Sequence, residues 1–297
     1  MGVKVRKLGF LGLEMVKHEE VLHHYSEVIG LPMAEKTSGE VHLGCGTETA
    51  LRLYRGERGG HRSVGLIIDG EGPLDDALKA LGDIGVKGEI KSDLFPDIGA
   101  CIEVADDNGY AVYLYRQPEA APPMPYSNSG IQPDKLGHVA MFVEDAKKTA
   151  QFYTDVLGFR WSDWLGDFFV FMRCNIDHHT MNFINSEKKG MFHVAFELRD
   201  LSHLGRSADI LVRNKIPILW GPGRHGIGHN LFTYHKDPDG NIVELIADLD
   251  RMASEELGYY EPRPYHDSFP QRPKVWSPDD VTTVNLWGAP PPPGFLE

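Results

Sequence analysis

Three observations predict an α+β fold made of four βαβββ modules paired into two similar halves. The chain repeats itself, each copy mixes short strand-like runs with amphipathic helices, and a Pro-rich stretch separates the copies. The repeat is plain in "KLGFLGLEM…HHYSEVIGL" from Lys7 and "KLGHVAMFV…QFYTDVLGF" from Lys135. Lys7 and Lys135 stand 128 apart, as do Tyr25 and Tyr153, and Gly30 and Gly158. At offsets near 130, "ALRLY" answers "TMNFI", "SVGLII" answers "HVAFEL", and "DDNGYAVYL" answers "DPDGNIVEL".

In the second copy the elements follow in order. "LGHVAMFV" reads as a strand. "DAKKTAQFYTDVL" opens on an Asp cap and carries apolar residues at helical spacing, and "DFFVFMRC" and "HHTMNFI" return to strand. "FHVAFEL", the helix "LSHLGRSADILVRN", "IPILW", "NLFTYHK" and "GNIVELIA" repeat that order. The linker "RQPEAAPPMPYSNSGIQP" is rich in Pro, Ser and Asn. The expected division is a first domain at 1–118, a linker at 119–134, a second domain at 135–250 and a Pro-rich tail at 251–297. Prolines forbid long regular structure in that tail. Tyr265, Phe269, Trp276 and Trp287 are anchors expected to pack on the domain or on a neighbouring subunit, with a lid over the cleft as the alternative.

Composition narrows the function. With 297 residues and 41% hydrophobic content the chain can bury a sizeable core. Its 43 acidic and 30 basic side chains give a formal net charge of −13, without a Lys/Arg-rich run, which argues against nucleic acid or an anionic membrane as partner. No apolar stretch reaches the length of a membrane span and the N-terminus lacks a signal-like run, so a cytoplasmic protein is expected. Cys45, Cys101 and Cys174 are too scattered for a disulfide framework or a Cys-based zinc site. Five of the fourteen histidines precede residue 120 and nine follow it, which directs imidazole chemistry to the second half.

Glu244 sits inside "GNIVELIAD", among Ile242, Val243, Leu245 and Ile246. A carboxylate buried there needs a cationic partner, because an unpaired buried charge costs several kcal/mol. "GHVA" and "FHVA" put His138 and His193 at corresponding places on paired strands, so two imidazoles and one carboxylate can converge. A single strand histidine is ordinarily a core residue, but the duplication supplies a control. Phe10, Ser63 and Tyr113 stand at the matching positions of the first half, and none could complete a metal site. Two imidazoles and one carboxylate leave open positions on a metal, an arrangement suited to non-haem Fe(II) and oxygen chemistry. Nearby, "CNIDHHTMNF" offers His178 and His179, neighbours that a strand would point to opposite faces. The loop "GPGRHGIGHN" carries His225 and His229, and "LFTYHKDPDG" carries Tyr234.

The order GHVAMFVED, HHT, FHVAFE, GPGRHG, Tyr, DPDGNIVEL resembles the type I extradiol ring-cleavage dioxygenases of the vicinal-oxygen-chelate superfamily, which also includes glyoxalase I. The resemblance covers almost the whole chain and is strongest from Leu136 to Ile246. It implies two tandem vicinal-oxygen-chelate domains, the first with a degenerate metal site. It further implies Fe(II), with Mn(II) possible for the same ligands, bound by His138, His193 and Glu244, and O2 as co-substrate. His178 matches the family's acid/base histidine beside the metal, and a slip of one in the alignment gives that role to His179. His225 and Tyr234 match groups that hydrogen-bond the substrate oxygens. The implied reaction cleaves a small aromatic diol, a catechol, beside its hydroxyls to a hydroxymuconic semialdehyde-type product, and large homo-oligomers are usual.

Trp220 stands where members taking carboxylated catechols carry an arginine, which points to an uncharged catechol. Arg224 discriminates little. A ketoacid dioxygenase, a glyoxalase-like isomerase and a non-catalytic protein that binds aromatic ligands are the alternatives.

Overall fold

The computed structural model describes residues 2–46, 48–95, 97–117, 127, 129–261 and 271–295. The first half runs β1 (Val5–Met15), α1 (His18–His23), β2 (Met33–Lys36), β3 (Glu40–Cys45), β4 (Glu48–Arg55), β5 (Gly60–Ile68), α2 (Asp75–Asp83), β6 (Gly88–Ser92), β7 (Ala100–Ala105) and β8 (Ala111–Tyr115). The second runs β9 (Lys135–Val143), α3 (Ala146–Leu157), β10 (Arg160–Leu165), β11 (Phe169–Arg173), β12 (Met181–Asn185), β13 (Gly190–Glu197), α4 (Leu201–Arg213), β14 (Trp220–Arg224), β15 (Leu231–Lys236) and β16 (Ile242–Ala247). A small hairpin, β17 (Met252–Ser254) and β18 (Tyr259–Tyr260), and an edge strand, β19 (Lys274–Trp276), follow. Most of the linker and the anchors Tyr265 and Phe269 lie outside the described residues.

The sheet orders are those of four βαβββ modules, as the sequence predicts. The first sheet reads β2-β3-β4-β1-β5-β8-β7-β6, and the second β14-β15-β16-β13-β9-β12-β11-β10-β19. In each module the opening strand lies parallel to the closing one. The modules of a half meet where their opening strands pair antiparallel, β1 with β5 and β9 with β13. This seam brings the opening and closing strands of two modules side by side and so gathers the predicted ligands.

Local chemistry sets the helix ends. The Asp145 side chain accepts from the N–H groups of Lys147 and Lys148, two donors the first turn of α3 would otherwise leave unpaired. Gly158 closes that helix at φ +72°, a conformation that costs glycine little. Ala146, Ala150, Tyr153 and Leu157 recur at helical spacing and are buried. Asp200 caps α4 by accepting from His203 N–H. "IPILW" does not form a strand along its whole length: β14 begins only at Trp220, and Pro217 has no N–H to give a ladder.

One apolar core runs through both halves, from Leu8, Leu11 and Leu66 to Val139, Phe183 and Phe196. Each such side chain contributes roughly 1.5–3 kcal/mol on burial. Tyr25 of the first half donates to Asp237 of the second at 3.1 Å, and its ring lies 6.4 Å from that of Phe196. No helix among the described residues is long and apolar enough to cross a membrane.

Candidate metal centre and its pocket

A single cross-strand row builds the site. Trp220 pairs with Tyr234, Tyr234 with Glu244, Glu244 with Ala195, and Ala195 with His138. His193 lies two residues before Ala195 on the same face and pairs with Ala140. Ala195 and Ala140 are small and fully buried, so the side chains flanking them can meet above the sheet.

His138 Nε2 and His193 Nε2 are 2.9 Å apart. Glu244 Oε2 is 2.9 Å from the first and 3.2 Å from the second. Donor atoms held about 2.1 Å from one ion at right angles stand about 3.0 Å from each other, so this triangle fits a metal. The residues are buried, and Glu244 Oε2 makes no hydrogen bond of acceptable geometry despite the short distances. Lone pairs that converge on one point, rather than on each other, explain that combination. Burial alone would push the Glu244 carboxyl up, but the imidazoles of His138 and His193 against it hold it well below the usual carboxylate range. Burial pushes the His193 imidazole down against the pull of Glu244, which keeps its lone pair free.

His225 and Tyr234 reach the same place. His225 Nε2 lies 3.1 Å from the Tyr234 hydroxyl and 3.3 Å from Glu244 Oε1. The other ring nitrogen, Nδ1, is 2.6 Å from the carbonyl of Val284, which can only accept. That assigns the proton of a neutral His225 to Nδ1 and leaves Nε2 as the basic nitrogen. Burial and the neighbouring Glu244 push the Tyr234 phenol well above its usual range, so it stays protonated. Asn230, which sequence reasoning passed over, donates to Glu244 Oε1 at 3.4 Å.

The two adjacent histidines are placed differently from the expectation that favoured His178. His179, not His178, lines the cavity, with its ring 4.4 Å from that of His138. His178 points away, toward Asp163 at 3.1 Å and the ring of Tyr260 at 4.9 Å. Strand parity could not choose between the two histidines, because β12 begins only at Met181. Residues 178–180 form a bend held by His178 N–H donating to the Asp250 carbonyl, and there two-residue parity does not apply. Asn182, inside the strand, does face the cavity. Burial, together with the His138 and His178 rings, pushes the His179 imidazole well below its usual range.

The cavity is about 650 Å³ including its mouth, and its walls are aromatic: Phe168, Phe169, Phe171, Phe192, Trp220 and Phe295. No Lys or Arg lines it among the described residues. Arg224 is turned away, donating to the His229 carbonyl at 2.6 Å and to Asp248 at 3.3 Å. The C-terminal tail supplies part of the enclosure. The Phe295 ring stands 5.0 Å from Tyr234 and 5.2 Å from Trp220, and Thr283, Val284 and Pro291 complete that side.

The first half fills the corresponding place differently. Phe10 stacks with Tyr113 at 6.3 Å, and the Arg52 guanidinium lies 4.5 Å from the Phe10 ring centre and 4.3 Å from that of Phe95. Arg52 also makes a bidentate pair with Asp97 at 2.6 and 2.7 Å. Arg52 is the counterpart of Asn182, 130 residues earlier, so the same alignment that exposed Phe10, Ser63 and Tyr113 could have found it.

The glyoxalase/bleomycin resistance protein/dioxygenase superfamily model matches residues 135–245. Metapyrocatechase 2 of Cupriavidus necator is 34% identical over 122 residues, 40% of this chain but only 38% of that protein. Metapyrocatechase of Pseudomonas sp. (strain CF600) is 25% identical over 272 residues, covering 82% of this chain and 86% of the relative. Among solved structures, the Mn(II)-bound glyoxalase from Novosphingobium aromaticivorans superposes with a TM-score of 0.84 at 24% identity, over 99% of this chain and 95% of its own. The α+β architecture is that of tandem vicinal-oxygen-chelate domains.

Proposed function

We propose that this chain, whose residues 135–245 belong to the glyoxalase/bleomycin resistance protein/dioxygenase superfamily, is an extradiol dioxygenase that uses O2 to cleave an uncharged catechol beside its diol. The observation that carries this reading is the convergence of His225 and Tyr234 on the carboxylate side of the His138, His193 and Glu244 triangle. An isomerase acting on an aliphatic thioester precursor has no need of an imidazole and a phenol placed to manage two adjacent hydroxyls. Relatives named metapyrocatechase favour the same chemistry.

His138, His193 and Glu244 would hold an iron(II) or manganese(II) ion, which when bound supplies a Lewis-acidic, redox-capable centre where diol and O2 meet. The protein's own residues do the rest. The lone pair on His225 Nε2 accepts a proton from one catechol hydroxyl, and the Tyr234 phenol donates a hydrogen bond to the oxygen left charged. His179, lining the cavity beside His138, can give and take a proton at the ring. The aromatic walls grip the ring faces and exclude water, which strengthens each polar contact inside. The absence of Lys and Arg from the described lining favours a substituent without charge.

The likeness to a glyoxalase keeps an isomerase as the second reading. The deciding experiment loads the protein with Fe(II) anaerobically, then adds 3-methylcatechol in air while recording oxygen uptake and the visible spectrum. Matched oxygen consumption and a yellow ring-opened product are expected. With metal bound, no uptake on alkyl, aryl or trihydroxylated catechols overturns the proposal. Glu244→Gln should lose the metal and more than about 100-fold in rate while staying folded.

A further inference from the structure

Two fully buried polar side chains take no part in the proposed reaction: Asp163 and His178, 0% and 1% exposed. They form a line that ends at the pocket. Asp163 Oδ2 lies 3.1 Å from His178 Nε2, and His178 Nδ1 lies 2.9 Å from His179 Nδ1. The tail grips the far end. Trp276 Nε1 donates to Asp163 Oδ2 at 2.8 Å, and the Lys274 backbone N–H donates to Asp163 Oδ1 at 2.8 Å.

The proton positions follow from what each group can do. A carboxylate only accepts, so His178 carries a hydrogen on Nε2 and, when neutral, offers a lone pair at Nδ1. The facing nitrogen of His179 must then be the donor. This leaves the Nε2 of His179, the nitrogen not committed to His178, with a bare lone pair for the cavity that His179 lines. We infer that Asp163 and His178 are positioning residues, which lock His179 into one orientation and one tautomer, and that the C-terminal strand β19 completes the device by clamping Asp163.

The surroundings hold His178 rigidly enough for this. Its backbone N–H donates to the Asp250 carbonyl, its ring packs 4.9 Å from Tyr260, and the Tyr260 hydroxyl donates to the carbonyl of Ser162, next to Asp163. A space-filling role would need no carboxylate here. Burying one unpaired costs several kcal/mol, whereas one that fixes an imidazole tautomer from behind does what the aspartate of a hydrolytic triad does.

The first test does not depend on turnover. In zinc-loaded protein labelled with 15N-histidine, side-chain NMR signals of His179, identified by their loss in His179→Phe, should show the proton on Nδ1. In His178→Phe the proton should move to Nε2 or exchange between the two nitrogens. The same tautomer in both proteins overturns the inference.

The second test rests on the proposed ring cleavage. His178→Phe in the iron-loaded enzyme should lower kcat roughly 10- to 100-fold while metal content and anaerobic affinity for 3-methylcatechol stay within about 3-fold. In a His179→Phe background the same change should cost nothing more, because His178 acts only through His179. Equal losses in both backgrounds, or no loss, overturn it. Trp276→Phe, which keeps an aromatic ring but removes the indole N–H along with part of the ring volume, should lower kcat a few-fold and guards against misfolding of the harsher variant. If the parent cleaves no catechol, the proposed function fails and the tautomer measurement alone decides this inference.

Discussion

Tyr234 stands directly opposite Glu244 in the antiparallel ladder of β15 and β16, and His225 Nε2 lies within 3.3 Å of both side chains. In the proposed function the phenol belongs to the substrate side of the site and the carboxylate to the metal side, joined by one rung of sheet.

Tyr234→Phe tests that division. Metal content should match the parent, while kcat/KM for 3-methylcatechol falls roughly 10-fold, the worth of about 1.4 kcal/mol for one lost hydrogen bond. Metal analysis alongside steady-state kinetics reads both. Loss of metal would mean that the phenol holds Glu244 rather than the diol.

Phe295 closes the pocket from the tail against Trp220 and Tyr234. In Phe295→Ala the ratio of kcat/KM for 3-phenylcatechol to that for 3-methylcatechol should rise by about 10-fold, because a wall is removed where a larger substituent can lie. An unchanged ratio would put the substituent elsewhere in the cavity.

Arg52 is fully buried and its partner Asp97 is 25% exposed at the side chain. Replacing it with methionine strands that carboxylate and removes two ring contacts. Urea unfolding should show a loss of about 3 kcal/mol, with the specific activity of the protein that remains folded unchanged. A large loss of activity per folded molecule would tie the first half to catalysis directly.

His24 and His235 face each other across the two halves, Nε2 to Nε2 at 3.3 Å, both buried. Burial pushes the His24 ring down to about 4 and His235 well below its usual range. The unfolded chain therefore binds protons first, beginning near pH 6.5, so stability falls as pH drops below that value and levels off near 4 for His24. Each ring costs about 1.4 kcal/mol per pH unit within its window. Asp106, raised by burial to about 6, works in the opposite direction. The urea midpoint should decline from pH 7 to pH 5, and His24→Gln should flatten the decline.

Much of this was legible in the chain. The repeat is readable because a constant offset needs no geometry, and His138, His193 and Glu244 stand out because the other copy lost all three positions. The facing of Tyr234 and Glu244 could not be counted through the "DPDG" turn; only the ladder register supplies it. The alignment left His178 and His179 open to a slip of one, and parity could not decide between them, since alternation holds only within a strand and both precede one. The contacts that orient the imidazoles were beyond reach. Val284 lies 59 residues from His225 and Trp276 lies 113 from Asp163, and both distances close only because the tail doubles back over the sheet.

In the proposed function the two halves keep a cation at their centres by different means. One is a guanidinium carried on the chain itself, paired with Asp97 and lying against two phenyl rings; the other, in the proposed function, is an ion that must be acquired and can be taken away. A shortage of metal therefore falls unevenly on this molecule. The first sheet keeps its internal ion pair, Arg52 with Asp97, with or without metal. Only the second is left with imidazoles and a carboxylate turned on one another, so chelators should loosen one lobe and leave its twin intact.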